Sequence, residues 1–201
     1  MTTETFADLA ELVRKTPPRL GPVRLVAIDG PSGAGKTSFA RRLAAPLGAP
    51  VVHTDDLLDG WDDQFTFWTR LEEQVLMPLR AGRPATYLRY LWHRKRFGGM
   101  PVTVRPAECV LLEGVSSARR EIRTQLSLAV FVTAPADLRW RRATERDGTD
   151  GVAFRAYLER WRAAEDRHFA NDRTEASADL VVDGAAESGE DRYEGVWRQP
   201  A

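Results

Sequence analysis

Five short apolar runs recur along the chain, and long charged segments separate them: "VRLVAI" (Val23 to Ile28), "PVVHT" (Pro50 to Thr54), "CVLLE" (Cys109 to Glu113), "LAVFVT" (Leu128 to Thr133) and "ADLVVDG" (Ala178 to Gly184). Unbroken Val, Leu and Ile runs suit strands buried on both faces, and the spacers read as crossover helices rather than two-residue hairpin turns. The pattern predicts a three-layer α/β/α fold around a five-stranded, mainly parallel sheet.

The spacers add detail. "TSFARRLAAPLG" predicts a helix after the first strand, with Pro46 ending it early. "FTFWTRLEEQVLMPLRAG" carries Phe67, Leu71, Val75 and Leu79 at intervals of four, a stripe suited to the core. "PADLRWRRATERDG" opens on Pro135 and Asp137, residues suited to a first helical turn, and then becomes basic. "GVAFRAYLERWRAAEDRHFAND" places Phe154, Tyr157, Leu158 and Trp161 on one helix face. Ahead of all this, Phe6, Leu9, Ala10, Leu12 and Val13 share a helical stripe that "TPPRLGP" stops. The expected organisation is a helix over 1–20 packed on a body over 21–186, with a lid at about 139–152. A polar tail over 187–201 is expected to be loosely ordered, with Trp197 its candidate for docking.

The length of 201 residues suits one well-filled α/β domain. Lys and Arg together number 29 and so do Asp and Glu, so no global field argues for nucleic acid or an anionic membrane as partner. The single cysteine, Cys109, lies within an apolar run and reads as a small buried hydrophobe in a reducing compartment. His53, His93 and His168 lack metal-ligand spacing. No run is long enough to span a membrane, and the first residues lack the pattern of an export signal, so the expectation is a cytoplasmic protein. An exposed N-terminal helix leaves room for a homodimer.

"GPSGAGKT", the residues Gly30, Pro31, Ser32, Gly33, Ala34, Gly35, Lys36 and Thr37, satisfies G-x-x-x-x-G-K-[ST] between a strand and a helix. Glycines free the backbone to turn its amides inward around phosphate, and the helix opening at Lys36, Thr37 and Ser38 offers its positive end to the same anion. Lys36 supplies a mobile charge for the β- and γ-phosphates, and Thr37 a hydroxyl for magnesium. Asp55 follows the second run and Glu113 ends the third. Ligands of parallel sheets sit off those carboxyl ends, so both acids are candidates to hold magnesium or to accept a proton from an attacking hydroxyl. Asp56 should point away and cap or face solvent. Arg139, Arg142 and Arg146 share one helix face, and "RDGTDG" after them suits a mobile lid that brings arginines over the γ-phosphate.

Taken together, "IDGPSGAGKT", "HTDDLL", "PAECVLLEGV" and "DLRWRRATERD" resemble the uridine kinase-like group of P-loop kinases, itself similar to pantothenate kinase and phosphoribulokinase. The resemblance covers roughly Val23 to Asp150 and implies a P-loop NTPase fold, with ATP and Mg2+ as cofactors and an acceptor hydroxyl on a nucleoside or nucleoside-sized metabolite. It implies Asp55 as general base and water-mediated magnesium ligand, with Glu113 in the acid-glycine pair. Lys36 and Arg142 would stabilise the transferring group, and Arg139 and Arg146 would act from the lid or toward the acceptor. Tyr90 and Trp92 fall where the family lines its acceptor pocket, although Leu91 stands where the family has an acid. Trp61 and Trp68 could line the same pocket or fill the core. Two other functions stay open. One is a nucleoside monophosphate or sugar-acid kinase using Arg89, Arg94 and Arg96; the other is a non-catalytic ATP-binding regulator. The chain has no Asn-Lys-x-Asp element of a guanine switch.

Overall fold

The structure is a computed structural model and describes residues 1–147 and 152–198. The lid stretch expected at 148–151 lies outside those residues, as does the side chain of Phe154. A seven-stranded sheet forms the centre, built from β1 (Thr2–Thr5), β2 (Arg24–Asp29), β3 (Val51–His53), β6 (Cys109–Glu113), β7 (Leu126–Thr133), β8 (Leu180–Asp183) and β9 (Arg192–Trp197). Its order is β1-β9-β8-β7-β2-β6-β3. The five strands expected from the apolar runs are its parallel part, and β9 and β1 add an antiparallel edge beside β8.

Both faces of the parallel strands are buried, which is why those runs are apolar without alternation. In β2, Leu25 and Ala27 enter one core, shared with Phe67, Leu71, Val75 and Leu79. Val26 and Ile28 enter the other, shared with α1 (Phe6–Lys15) and α2 (Lys36–Leu47). Cys109 is buried, and burial pushes its thiol up from its ordinary value. The Phe67-to-Leu79 stripe lies on α3 (Trp68–Leu71), a π-helical turn (Glu72–Leu76) and α4 (Met77–Arg80) in succession.

Several expectations are corrected. Pro46 does not end α2 early; it occupies the last turn, where the following Gly48 takes a left-handed conformation and its amide bonds the Ala44 and Ala45 carbonyls. On α1, Phe6, Leu9, Ala10 and Val13 are buried, but Leu12 is exposed. The tail is not loose over 192–197: β9 pairs with β1, and Glu4 accepts hydrogen bonds from Tyr193 (2.7 Å) and the Trp197 indole (3.0 Å). A hairpin that no apolar run announced, β4 (Ala85–Leu91) with β5 (Arg96–Val104), stands apart from the main sheet. α5 (Ala136–Asp147) and α6 (Val152–Asp172) fill the interval between β7 and β8.

Candidate active site

The phosphate loop joins β2 to α2. Gly30, Gly33 and Gly35 take φ values of 137°, 76° and 104°, a region that side chains avoid. Gly33 must also be bare for space, because a Cβ there would stand 2.3 Å from the Arg139 carbonyl oxygen of α5. At the loop's base, Asp29 is fully buried and accepts three backbone amides: Gly30 (2.7 Å), Ser116 (2.9 Å) and Ala118 (2.8 Å). Burial pushes its carboxyl up to about 6, against the pull of those amides and of Lys36. Asp29 thereby ties the loop to the turn after β6. Composition and motif gave no sign of this role, although the acid is visible in "IDGPSG".

The side chains expected at the phosphates are assembled here. Lys36 is buried, with its ammonium 3.1 Å from the Pro31 carbonyl across the loop. The Thr37 hydroxyl donates to Glu113 (3.1 Å), whose second oxygen lies 2.6 Å from His53 Nδ1. Burial acts to raise the Glu113 carboxyl, but His53, Lys36 and Thr37 together outweigh it and hold it below its ordinary value. The same bond to Glu113 raises His53, against partial burial. Gly114 lets β6 close on the turn after β3, since a Cβ there would overlap the Thr54 hydroxyl at 1.8 Å.

A cavity of about 810 Å³ opens beyond the loop. Ser32, Lys36, Thr37, Asp55 and Glu113 line its phosphate end, and Arg139, Trp140 and Arg146 line it from α5. Trp61, Trp92, Trp161 and Leu158 form an aromatic and apolar wall, which begins beside the loop where Trp161 Nε1 lies 3.3 Å from the Ser32 hydroxyl. Asp55 is open to the cavity, yet enclosure by these walls raises its carboxyl, with Glu113 acting in the same sense while Lys36 and Arg146 oppose them. A carboxylate held above its ordinary value is a stronger base toward an attacking hydroxyl than a free one.

Not every expected residue arrives. Arg142 does not line the cavity; its guanidinium donates to the Gly184 (2.9 Å) and Gly33 (3.4 Å) carbonyls, clamping α5 to the phosphate loop. Tyr90 is buried between Trp92 (5.1 Å between centroids) and Phe97 (5.3 Å), behind the wall rather than in it. Leu91 packs toward Gly98 and Gly99 of β5. Trp68 packs on the core beneath the Arg119 guanidinium. Asp56 does not simply face solvent: it pairs with Arg89 (3.0 Å) and receives the Tyr87 hydroxyl (3.5 Å), because residues 54–57 form a 3-10 turn where strand alternation no longer applies. Two residues that sequence reasoning did not single out also line the cavity, Glu165 and Arg162.

For magnesium, the side chains offer hard oxygens. Among the described residues no group of three or more His, Cys, Asp or Glu is placed to hold a metal ion. Magnesium at nucleotide sites takes few protein ligands and completes its shell with phosphate and water, so a Thr37 hydroxyl against an ionised Glu113, with Asp55 in the same cavity, fits that ion.

No protein-family model matches the chain. It is 28% identical over 123 residues to uridine-cytidine kinase C of Dictyostelium discoideum, a match spanning 56% of this chain and 27% of that protein. Among solved structures, one described as a possible uridine kinase from Bacillus stearothermophilus superimposes with a TM-score of 0.64 at 20% identity, covering 88% of this chain and 96% of that one. A candidate fructose transport system kinase from Silicibacter gives 0.55 at 21% identity, covering 87% and 95%. The fold is shared with both.

Proposed function

We propose that this chain, which groups in sequence and fold with the uridine kinase-like P-loop kinases, transfers the γ-phosphoryl group of ATP to a hydroxyl of a nucleoside-sized acceptor. The observation that supports the reading is one cavity lined by phosphate-loop residues, Asp55 and an aromatic wall together. Lys36 and the loop amides bind the β- and γ-phosphates, and Arg139 and Arg146 approach the transferring group from α5. Thr37, with Glu113 and Asp55, would hold magnesium, which would supply charge neutralisation for the phosphates. Asp55 takes the acceptor hydroxyl's proton as the oxygen attacks. Arg142 acts one step removed, by seating α5 on the loop.

The aromatic wall bears on the acceptor. Trp61, Trp92 and Trp161 line the cavity with indole rings, while Asp56 is engaged by Arg89 and Leu91 faces the hairpin. A hydroxyl pressed on indole without a partner loses its hydrogen bond, so the wall favours a planar body over a polyol. Arg89, Arg94 and Arg96, which would bind an anionic acceptor, do not line the cavity. A purely regulatory reading leaves Asp55 without a purpose.

The test is ADP release from ATP and magnesium against ribonucleosides, deoxynucleosides, nucleoside monophosphates, pantothenate and small sugars, with Asp55→Asn as control. Stimulation by one acceptor, lost in the control, is the expected result. Tight ATP binding with no acceptor-dependent release across the panel would favour the regulator.

A further inference from the structure

Glu165 is 1% exposed on α6, yet its carboxylate reaches the phosphate loop. It accepts the Ser32 amide (3.1 Å), the Ser32 hydroxyl and the Trp161 indole N-H (2.7 Å). Trp161 Nε1 also lies 3.3 Å from the Ser32 hydroxyl, so the three side chains form a closed group. From Trp161 the contacts continue through the aromatic wall: its ring meets Trp61 edge-on at 5.3 Å, and Trp61 lies 4.8 Å from Trp92. One carboxylate thus joins a residue of the phosphate loop to the aromatic cluster that lines the same cavity.

We infer that Glu165 is a positioning residue that couples occupancy of the phosphate loop to the shape of the acceptor wall. The inference rests on the nucleotide-binding reading above. Polyphosphate bound in the loop brings negative charge beside a buried carboxylate, and like charges repel strongly where water is excluded. The loop amides are also drawn toward the phosphates, in competition with Glu165 for Ser32. Both effects loosen the Ser32–Glu165 hold, and the indole sharing that carboxylate shifts with it. The acceptor then meets a wall set by the donor already bound. Coupling of this kind requires an element with two arrangements that both sites bias, and on this inference the trio is that element.

The tryptophan reports directly, so the test needs no knowledge of the acceptor. Wild type, Trp161→Phe, Glu165→Gln and Ser32→Ala are titrated with ADP and magnesium, by calorimetry for affinity and by tryptophan emission for the wall. In the wild type emission changes at saturation, and Trp161→Phe loses most of that change. Glu165→Gln, which removes that repulsion, is expected to bind ADP at least as tightly as wild type while showing less than about a third of the emission change. Ser32→Ala keeps the amide bond and loses the hydroxyl bond, so it should show a partial loss; it carries the test if Glu165→Gln does not fold. A full wild-type emission change in Glu165→Gln, or in Trp161→Phe, overturns the inference while leaving the kinase reading intact. Failure of the wild type to bind ADP instead overturns that reading.

Discussion

Replacing Gly33 by alanine probes the closest backbone approach between the phosphate loop and α5. The new Cβ would stand 2.3 Å from the Arg139 carbonyl oxygen, where ordinary contact begins at 3.4 Å, so loop or helix must yield by about 1 Å. Two costs add. A left-handed backbone costs alanine about 1–2 kcal/mol, and forcing a packed contact apart costs about 1–3 kcal/mol, for a total of about 2–5 kcal/mol. Gly48→Ala separates the two, because Gly48 has φ +61° and nothing within 4 Å of a new Cβ. Urea unfolding of both variants, followed by tryptophan emission, should therefore show Gly33→Ala less stable than Gly48→Ala by about 1–3 kcal/mol. If α5 retreats instead of straining, Arg142 loses its bonds to Gly33 and Gly184. Lost stabilisation of about 1.4 kcal/mol at the loop would then appear as about tenfold weaker ADP binding. Equal stability of the two variants, together with wild-type ADP affinity in Gly33→Ala, would refute the seating of α5 on the loop.

Asp55→Asn should lower turnover by about a hundredfold or more while ADP affinity stays within a few-fold, and lost nucleotide binding would mark Asp55 as structural or metal-holding instead. Lys36→Ala should abolish transfer; unchanged turnover in a steady-state assay would sink the loop assignment. The Glu113 hydrogen bond raises His53 above its ordinary 6.5, so its stabilisation is complete below that pH and is lost as pH rises through the raised value. The urea midpoint should fall across that window and lose this slope in His53→Gln; an identical slope in the variant would refute the assignment. Leu91→Asp should leave the acceptor profile unchanged, because Leu91 packs toward Gly98 and Gly99, and a gain on ribonucleosides would show that it reaches the acceptor.

The parts that were legible share a physical reason: each is dictated by local pattern. A strand buried on both faces must be apolar along its length, so β2, β3, β6, β7 and β8 could be read directly. Backbone that touches phosphate must be bare, so the loop could be read as well. The β4–β5 hairpin escaped because its register shifts between Tyr87 and Arg89, which breaks the alternation that announces a strand. β1 escaped because it is a short, polar edge strand, and β9, which pairs with both β1 and β8, because its Tyr193, Val196 and Trp197 are interrupted by Glu194 and Gly195 and form no continuous apolar run. Asp56 was misjudged because the chain leaves strand geometry immediately after His53.

The sequence alone determined the class of fold, the phosphate loop, and the acids Asp55 and Glu113 at the strand ends, because spacing and residue type settle those locally. Only the tertiary structure decided which arginines reach the cavity, since Arg139, Arg142 and Arg146 share a helix face but Arg142 meets the Gly33 and Gly184 carbonyls first. It alone brought Glu165 to Ser32, 133 residues apart in the chain, and built one wall from Trp61, Trp92 and Trp161. Contacts between residues far apart in sequence leave no periodicity to read. They exist only once the helices have packed.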